Sequence, residues 1–391
     1  MMHSTAAKPR QIGQQIYKKG TWRWAVIPVV LVFNAAWNWS ASMELTALIG
    51  NTERGADKSK QEIQQHQSPI HVLFGLSGNH PGFLSEFEVA LKSVLLNSPM
   101  ERELGVHILA DEDAYQSMDE IFNQAKLSTW VTRNPINIHA YDVTSYLPSL
   151  EHQIKDTFAR HIPDFEVWHA TSRHTLGTFF RLIAHHFIPP TVKHILYIDT
   201  DVVIMANLEE LWQHIVTRPD ALFHWGAAMC AGFVVMNVPC MDKIWALAKE
   251  SPMKNISDNY NQGADDQLIY MSINVTYPDE VNVLPDGWDM TVTNRWQSNH
   301  KPYEEKYPNV GMLHINGGGE SKSAYFNRSS FLESFPDTWG NAYHYVRTPW
   351  PWARYQAKSL LHPGSEGHLI HICFWGQNKT LSNSSSAGCR S

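Results

Sequence analysis

The chain has 391 residues, of which 43% are hydrophobic and 12% aromatic, which supplies a sizeable core and excludes a disordered chain. Its formal charge of −7 offers no basic footprint, which argues against a nucleic-acid partner and suits a catalyst whose anionic ligand arrives with its own metal ion. No internal repeat is visible.

The first 43 residues contain no Asp or Glu but carry Lys8, Arg10, Lys18, Lys19 and Arg23, and the apolar run WAVIPVVLVFNAAW follows at 24–37. A basic flank before an apolar run reads as a membrane-targeting segment. The run is shorter than the roughly 20 residues that span a bilayer, and Asn34 interrupts it. Residues 1–23 therefore read as a short basic cytoplasmic or n-region, and 24–42 as a signal anchor or a cleaved signal peptide. Residues 43–69 form a stem, since NTERGADKSKQEIQQHQSP at 51–69 is polar, aperiodic and closed by a proline. The folded domain is expected over 70–391. Six N-x-S/T acceptors, at Asn38, Asn255, Asn274, Asn327, Asn378 and Asn383, favour a lumenal body on a Golgi or endoplasmic reticulum membrane, or a secreted one. Four cysteines, Cys230, Cys240, Cys373 and Cys389, are even in number, lack metal-site spacing and permit two disulfides without naming the pairs.

From residue 69, PIHVLFGLSG predicts a strand running into a Gly/Ser turn, FLSEFEVALKSVLLN from Phe83 has helical spacing, and LGVHILADED from Leu104 predicts a second strand. This alternation predicts an α/β fold with a central, mostly parallel sheet, whose ligand sites lie at the carboxyl ends of strands. HILYI from His194 then reads as a buried central strand ending at Asp199 and Asp201. Strand alternation would point both carboxylates the same way. Two like charges side by side repel unless solvent separates them or a cation sits between them. Just beyond, Asn207 is the expected N-cap of a helix over ANLEELWQHI, with Glu210 in capping-box position, so Glu209 and Glu210 read as structural.

The stretch FFRLIAHHFIPPTVKHILYIDTDVVIMANLEELW at 179–212 resembles the signature of glycosyltransferase family 8, retaining enzymes of the GT-A fold that use sugar nucleotides. MCAGFVVMNV from Met229 resembles a further segment of that family, with Ala231, Gly232 and Asn237 in register and Cys230 where the family usually has Asn. That departure removes a polar contact to the donor, or else Cys230 is tied up in a disulfide. GADDQLIYMSI from Gly263 resembles the family's acidic segment facing the donor sugar, an assignment that Asp265, Asp266 and Gln267 share. LPDGWDM from Leu284 is similar to a stretch of the eukaryotic branch that includes glucoside xylosyltransferases. VGMLHINGGGESK from Val310 resembles the closing motif, with His314, Gly317 and Lys322 as its best matches. Past Arg328 the resemblance fades.

The resemblance implies a single GT-A catalytic domain that moves a sugar from a UDP-sugar to a glycan or glycoprotein acceptor with retention. Xylose is the first donor it suggests, with glucose, galactose or glucuronic acid as alternatives. Asp199, Asp201 and His314 would hold Mn²⁺ or Mg²⁺, because carboxylate oxygens suit such cations and a diphosphate binds poorly to an acidic protein without one. Arg181 would contact the carboxylates or phosphates, or else form an ordinary surface salt bridge. Asp266 or Gln267, with Asp265, would stabilise the reacting sugar centre, or else cap the following helix. Thr200, Ala231, Gly232, Gly317 and Lys322 would line the donor site. FGLSGN from Phe74 stands where the family holds the base and ribose, which leaves Ser77 and Asn79 as candidates, with Asp111 or Asp113 either supplementing them or remaining solvated loop acids. A non-catalytic lumenal glycan-binding module and an inverting GT-A enzyme are the rival readings.

Overall fold

The computed structural model describes residues 68–99, 102–132, 134–162, 176–226, 229–260, 264–285, 287–291, 311–314, 367–375 and 388–390, all of them within the compact unit Ser59–Ser391. The expected targeting segment and most of the stem lie outside these residues. Among the described residues, no helix is long and apolar enough to cross a membrane.

The first strand, β1 (Ile70–Leu76), leads through Gly78, at φ 74°, into α1 (Pro81–Leu96). The helix starts two residues earlier than its apolar spacing predicts, because His80 caps it by accepting from the Gly82 N–H and a proline opens the first turn. Next come β2 (Leu104–Ala110), α2 (Glu112–Ala125), β3 (Val131–Thr132), β4 (Ile136–Asp142) and α3 (Leu147–Phe158). A 3₁₀ helix over Leu176–His186 precedes β5 (His194–Ile198), β6 (Val202–Ile204) and α4 (Leu208–Ile215). Asn207 caps α4 through the Glu209 N–H at 3.0 Å, as its sequence predicts. Glu209 also pairs with Arg102 at 2.9 Å, a structural role. Then follow β7 (Phe223–Trp225), β8 (Phe233–Asn237), α5 (Met241–Glu250), α6 (Met253–Tyr260), α7 (Asp266–Thr276), β9 (Val281–Val283), β10 (Met290–Thr291), β11 (Met312–His314), β12 (His368–Trp375) and β13 (Gly388–Arg390).

The main sheet runs β13-β12-β4-β2-β1-β5-β8-β7-β9, with β3 pairing β12. Its centre, β12-β4-β2-β1-β5, is parallel, whereas β8 returns antiparallel beside β5. Both faces are buried by side chains that alternate along each strand. Val72, Phe74, Leu196 and Ile198 pack with Phe87 and Leu91 of α1 and Met118 of α2. Leu73, Ile195 and Tyr197 pack with Phe158 of α3, Phe180 of the 3₁₀ helix and Tyr270 of α7. A second sheet, β10-β11-β6, pairs β11 antiparallel to β6.

Two local expectations are corrected. Asp199 and Asp201 do not continue the β5 alternation: the strand ends at Ile198, and residues 199–201 turn into β6, with the Val202 N–H donating to the Asp199 carbonyl at 3.2 Å. The two carboxylates can therefore face different partners. Cys230 and Cys240 carry no disulfide, so a bridge cannot explain Cys230. Cys373 is disulfide-bonded, and Cys389 stands opposite it in the β12–β13 register.

Candidate active site

The carboxyl ends of β1 and β5 and the entrance to β8 meet at one cleft. Because β8 is antiparallel to β5, its first residues lie beside the end of β5, and the Asp199 N–H donates to the Gly232 carbonyl at 2.8 Å. The β11–β6 pairing sets His314 opposite Val202, next to Asp201 in the chain. Ser77, Arg181, Asp199, Thr200, Asp201, Ala231, Gly232, Asp265, Asp266, Gln267 and His314 all line this cleft. Asn79 is exposed and is not among its lining residues. Gly317 and Lys322 lie outside the described residues.

Asp199, Asp201 and His314 each bring a potential ligand atom to within 4.8 Å of the others. His314 Nε2 lies 3.3 Å from Asp201 Oδ1, and both side chains are buried. Burial opposes charge on the His314 imidazole, but the Cys230 sulfur and the Asp201 carboxylate beside it hold the ring well above its ordinary pKa. Gly232 makes the close approach possible: a Cβ there would stand 2.3 Å from His314 Cε1 and 2.6 Å from Asp199 Oδ2. Two carboxylates, an imidazole and a glycine-walled cradle fit a divalent cation in chemistry and in space.

Arg181 organises the opposite wall and is no surface salt bridge. It is 1% exposed, with Nη2 2.9 Å from Asp199 Oδ1, Nε 3.2 Å from Asp266 Oδ2, and Nη1 donating to the Ala231 carbonyl. The guanidinium also lies 3.7 Å from the Tyr197 ring centroid. Burial works against its charge, yet Asp199 and Asp266 raise its pKa above the ordinary arginine value. Burial keeps the Tyr197 phenol protonated, so its hydroxyl donates to Asp199 Oδ1 at 2.7 Å. The Asp199 carboxylate is thus fixed from one side by Arg181 and Tyr197.

The structure also divides the shared assignment over 265–267. Asp265 is the N-cap of α7 and accepts from the Leu268 N–H at 2.9 Å. Asp266 is turned in to Arg181, and Gln267 stands half-buried on the cleft wall. Ser77 Oγ donates to Asp111 Oδ2 at 2.7 Å, while Asp111 caps α2 through the Ala114 N–H at 3.0 Å. Asp111 is therefore a turn clamp, and Asp113 is exposed in the first turn of α2. Sequence reasoning missed Tyr197, which reads as one more apolar strand residue, and Asp289, which lies inside LPDGWDM and is brought against Cys230, behind the cleft lining, only through tertiary packing.

Residues 71–223 match the family model described as Glycosyl transferase family 8. No curated protein sequence matches the chain. Among solved structures, the apo form of mouse xyloside xylosyltransferase 1 is 15% identical, with 63% of this chain and 98% of that one covered at a TM-score of 0.48. The glycosyltransferase GlyE of Streptococcus pneumoniae TIGR4 is 12% identical over 76% of this chain and 66% of that one, at 0.44. The galactosyltransferase LgtC, in complex with donor and acceptor sugar analogs, is 15% identical over 70% of this chain and 100% of that one, at 0.41. The family match spans β1 to β7 and includes Arg181, Asp199 and Asp201, so residues 71–223 form a domain of glycosyl transferase family 8, set in a mixed α/β fold with a mostly parallel central sheet.

Proposed function

We propose that this glycosyltransferase moves a sugar from a UDP-sugar to a glycan or glycoprotein acceptor with retention of configuration, using Mn²⁺ or Mg²⁺ held by Asp199, Asp201 and His314. The observation that carries the reading is the convergence of these three donors within 4.8 Å around the side-chain-free Gly232, from positions more than a hundred residues apart. A cation bound there would neutralise the donor diphosphate and the departing UDP. Arg181 and Tyr197 hold Asp199 in place, so the donor set is organised before ligand arrives. Asp266 already shares its charge with Arg181, which weakens it as a nucleophile. The Gln267 amide, on the same wall, is then the better support for an oxocarbenium-like centre. Gly317 and Lys322 are proposed as further diphosphate contacts on the sequence resemblance.

The donor proposed first is a UDP-pentose, UDP-xylose, on the strength of LPDGWDM. The catalytic domain is proposed to span 70–391 and to face a Golgi or endoplasmic reticulum lumen behind the 24–42 segment. Asn255 is exposed on α6 and open to glycosylation. The test is incubation of the purified chain with a panel of UDP-sugars and Mn²⁺, following UDP released by slow hydrolysis. Metal-dependent release from one donor supports the reading, and none from any donor overturns it.

A further inference from the structure

Beside the Asp199–Asp201 pair, a second donor group shares His314 and adds Cys230 and Asp289, two residues to which sugar transfer assigns no role. Cys230, Asp289 and His314 bring one ligand atom each to within 4.8 Å of one another, and all three are buried. Asp289 is 5% exposed; its Oδ2 accepts a 3.3 Å bond from the Cys230 N–H, and its Oδ1 has no hydrogen-bond partner among the described residues. The His314 ring, 2% exposed, already lies against both the Cys230 sulfur and the Asp201 carboxylate. Buried polar atoms in native folds are nearly always satisfied, so an unsatisfied carboxylate oxygen on a buried residue of this cluster points to a missing ligand.

The backbone also holds Asp289 there at a cost. Its φ is 108°, a region that non-glycine residues rarely enter, and a Cβ on Gly226 would stand 2.0 Å from Asp289 Cβ. A strained aspartate and a side-chain-free neighbour together deliver one carboxylate to Cys230 and His314. Ordinary packing would be served better by an apolar residue.

We propose that Cys230, Asp289 and His314 form a binding site for a thiophilic divalent cation of the Zn²⁺ or Cd²⁺ class. Sulfur, imidazole and carboxylate are the donors such ions select, with water free to complete a tetrahedron. Binding releases the thiol proton to solvent, and the thiolate and carboxylate then balance the dication inside the protein. The oxygen-rich Asp199–Asp201 pair suits a harder ion. His314 belongs to both groups, so a thiophilic ion competes for an imidazole that the harder ion also uses, and each ion is expected to weaken the other. The site rests on geometry and stands whether or not the proposed donor is correct.

The test is titration of the EDTA-treated full chain with Cd²⁺, read by the ultraviolet thiolate-to-cadmium charge-transfer band and so independent of activity. A band saturating at one Cd²⁺ per chain, kept in C240S and lost in C230S, is expected. D289N and H314A should each raise the apparent Kd by about tenfold or more. Absence of the band, its survival in C230S, or indifference to both D289N and H314A would overturn the site. If C230S does not fold, Zn²⁺ protection of Cys230 from alkylation in the unsubstituted chain, read by peptide mass spectrometry, decides the matter: unprotected Cys230 rejects the proposal.

Discussion

Two polar clusters are buried in the same sheet and behave in opposite ways. At the cleft, Arg181 pairs with both Asp199 and Asp266, and Asp199, Asp201 and His314 bring donor atoms within 4.8 Å of one another. Across β1, β2 and β4, His71, His107 and His139 form a row: His71 Nδ1 lies 3.0 Å from His107 Nε2, His107 Nδ1 lies 3.2 Å from the Tyr141 hydroxyl, and His107 and His139 stack at 5.2 Å. Burial first, then the His139 imidazole and Arg102, push His71 down to about 4, and burial with its two neighbouring imidazoles takes His107 well below its ordinary pKa. The row is neutral: His71 and His107 bond to each other, His107 to Tyr141, and His139 stacks on His107. Gly105 makes room for it, since a Cβ there would stand 2.5 Å from His71 Nδ1. Residue types that bind metals elsewhere thus serve packing when burial keeps them neutral and they bond or stack with one another. They become a site when their atoms converge and remain available.

The comparison breaks most severely at Arg181. Replacing it with Met leaves Asp199 and Asp266 facing each other without a counter-charge, and should cost about 3–5 kcal/mol of stability. Urea unfolding measures this, and a loss below about 1 kcal/mol would mean the cleft is not held by charge.

The histidine row predicts a pH dependence of known sign. Its folded pKa values lie below 6.5, so the unfolded chain takes up protons first; stability is full above about 6.5 and falls as pH drops towards 4. The displacement of His71 from 6.5 to about 4 corresponds to roughly 3 kcal/mol at the acid end. Urea midpoints at pH 7.5 and pH 5 read it, and H71N should flatten the difference. An unchanged slope in H71N would assign the acid sensitivity to other groups.

Ligand linkage separates the clusters again. Saturating Mn²⁺ and UDP, at about a hundred times Kd, should stabilise the unsubstituted chain by about 2.7 kcal/mol. D201N and G232A should abolish that increment, the first by removing a carboxylate donor, the second by filling the cradle against His314. Substitutions in the histidine row should leave the increment intact. The smallest effect is expected at Asp265: D265A removes a helix cap worth about 1 kcal/mol and lowers turnover less than D266N or Q267A does, which steady-state assays can rank.

Much of this protein was legible in its residues because the signals are local. Short, nearly continuous apolar runs mark β1, β2 and β5, and Asn207 announces α4 by its position before an amphipathic turn. The family signature pointed to Asp199, Asp201, His314, Arg181 and the Asp-Asp-Gln run, all of which line one cleft. Other features needed long-range packing. Only the turn after Ile198 separates the Asp199 and Asp201 directions, and only the register of α7 assigns Asp265 to a cap and Asp266 to Arg181. Residues 368–375, which carried no family likeness, join the main sheet beside β4, because strand pairing is set by partners more than two hundred residues away. Asp289 shows the limit most plainly. Its neighbours in sequence say nothing of Cys230 or His314, and the strained turn that brings the three together exists only once β11 has paired with β6 and Gly226 has left room for the carboxylate.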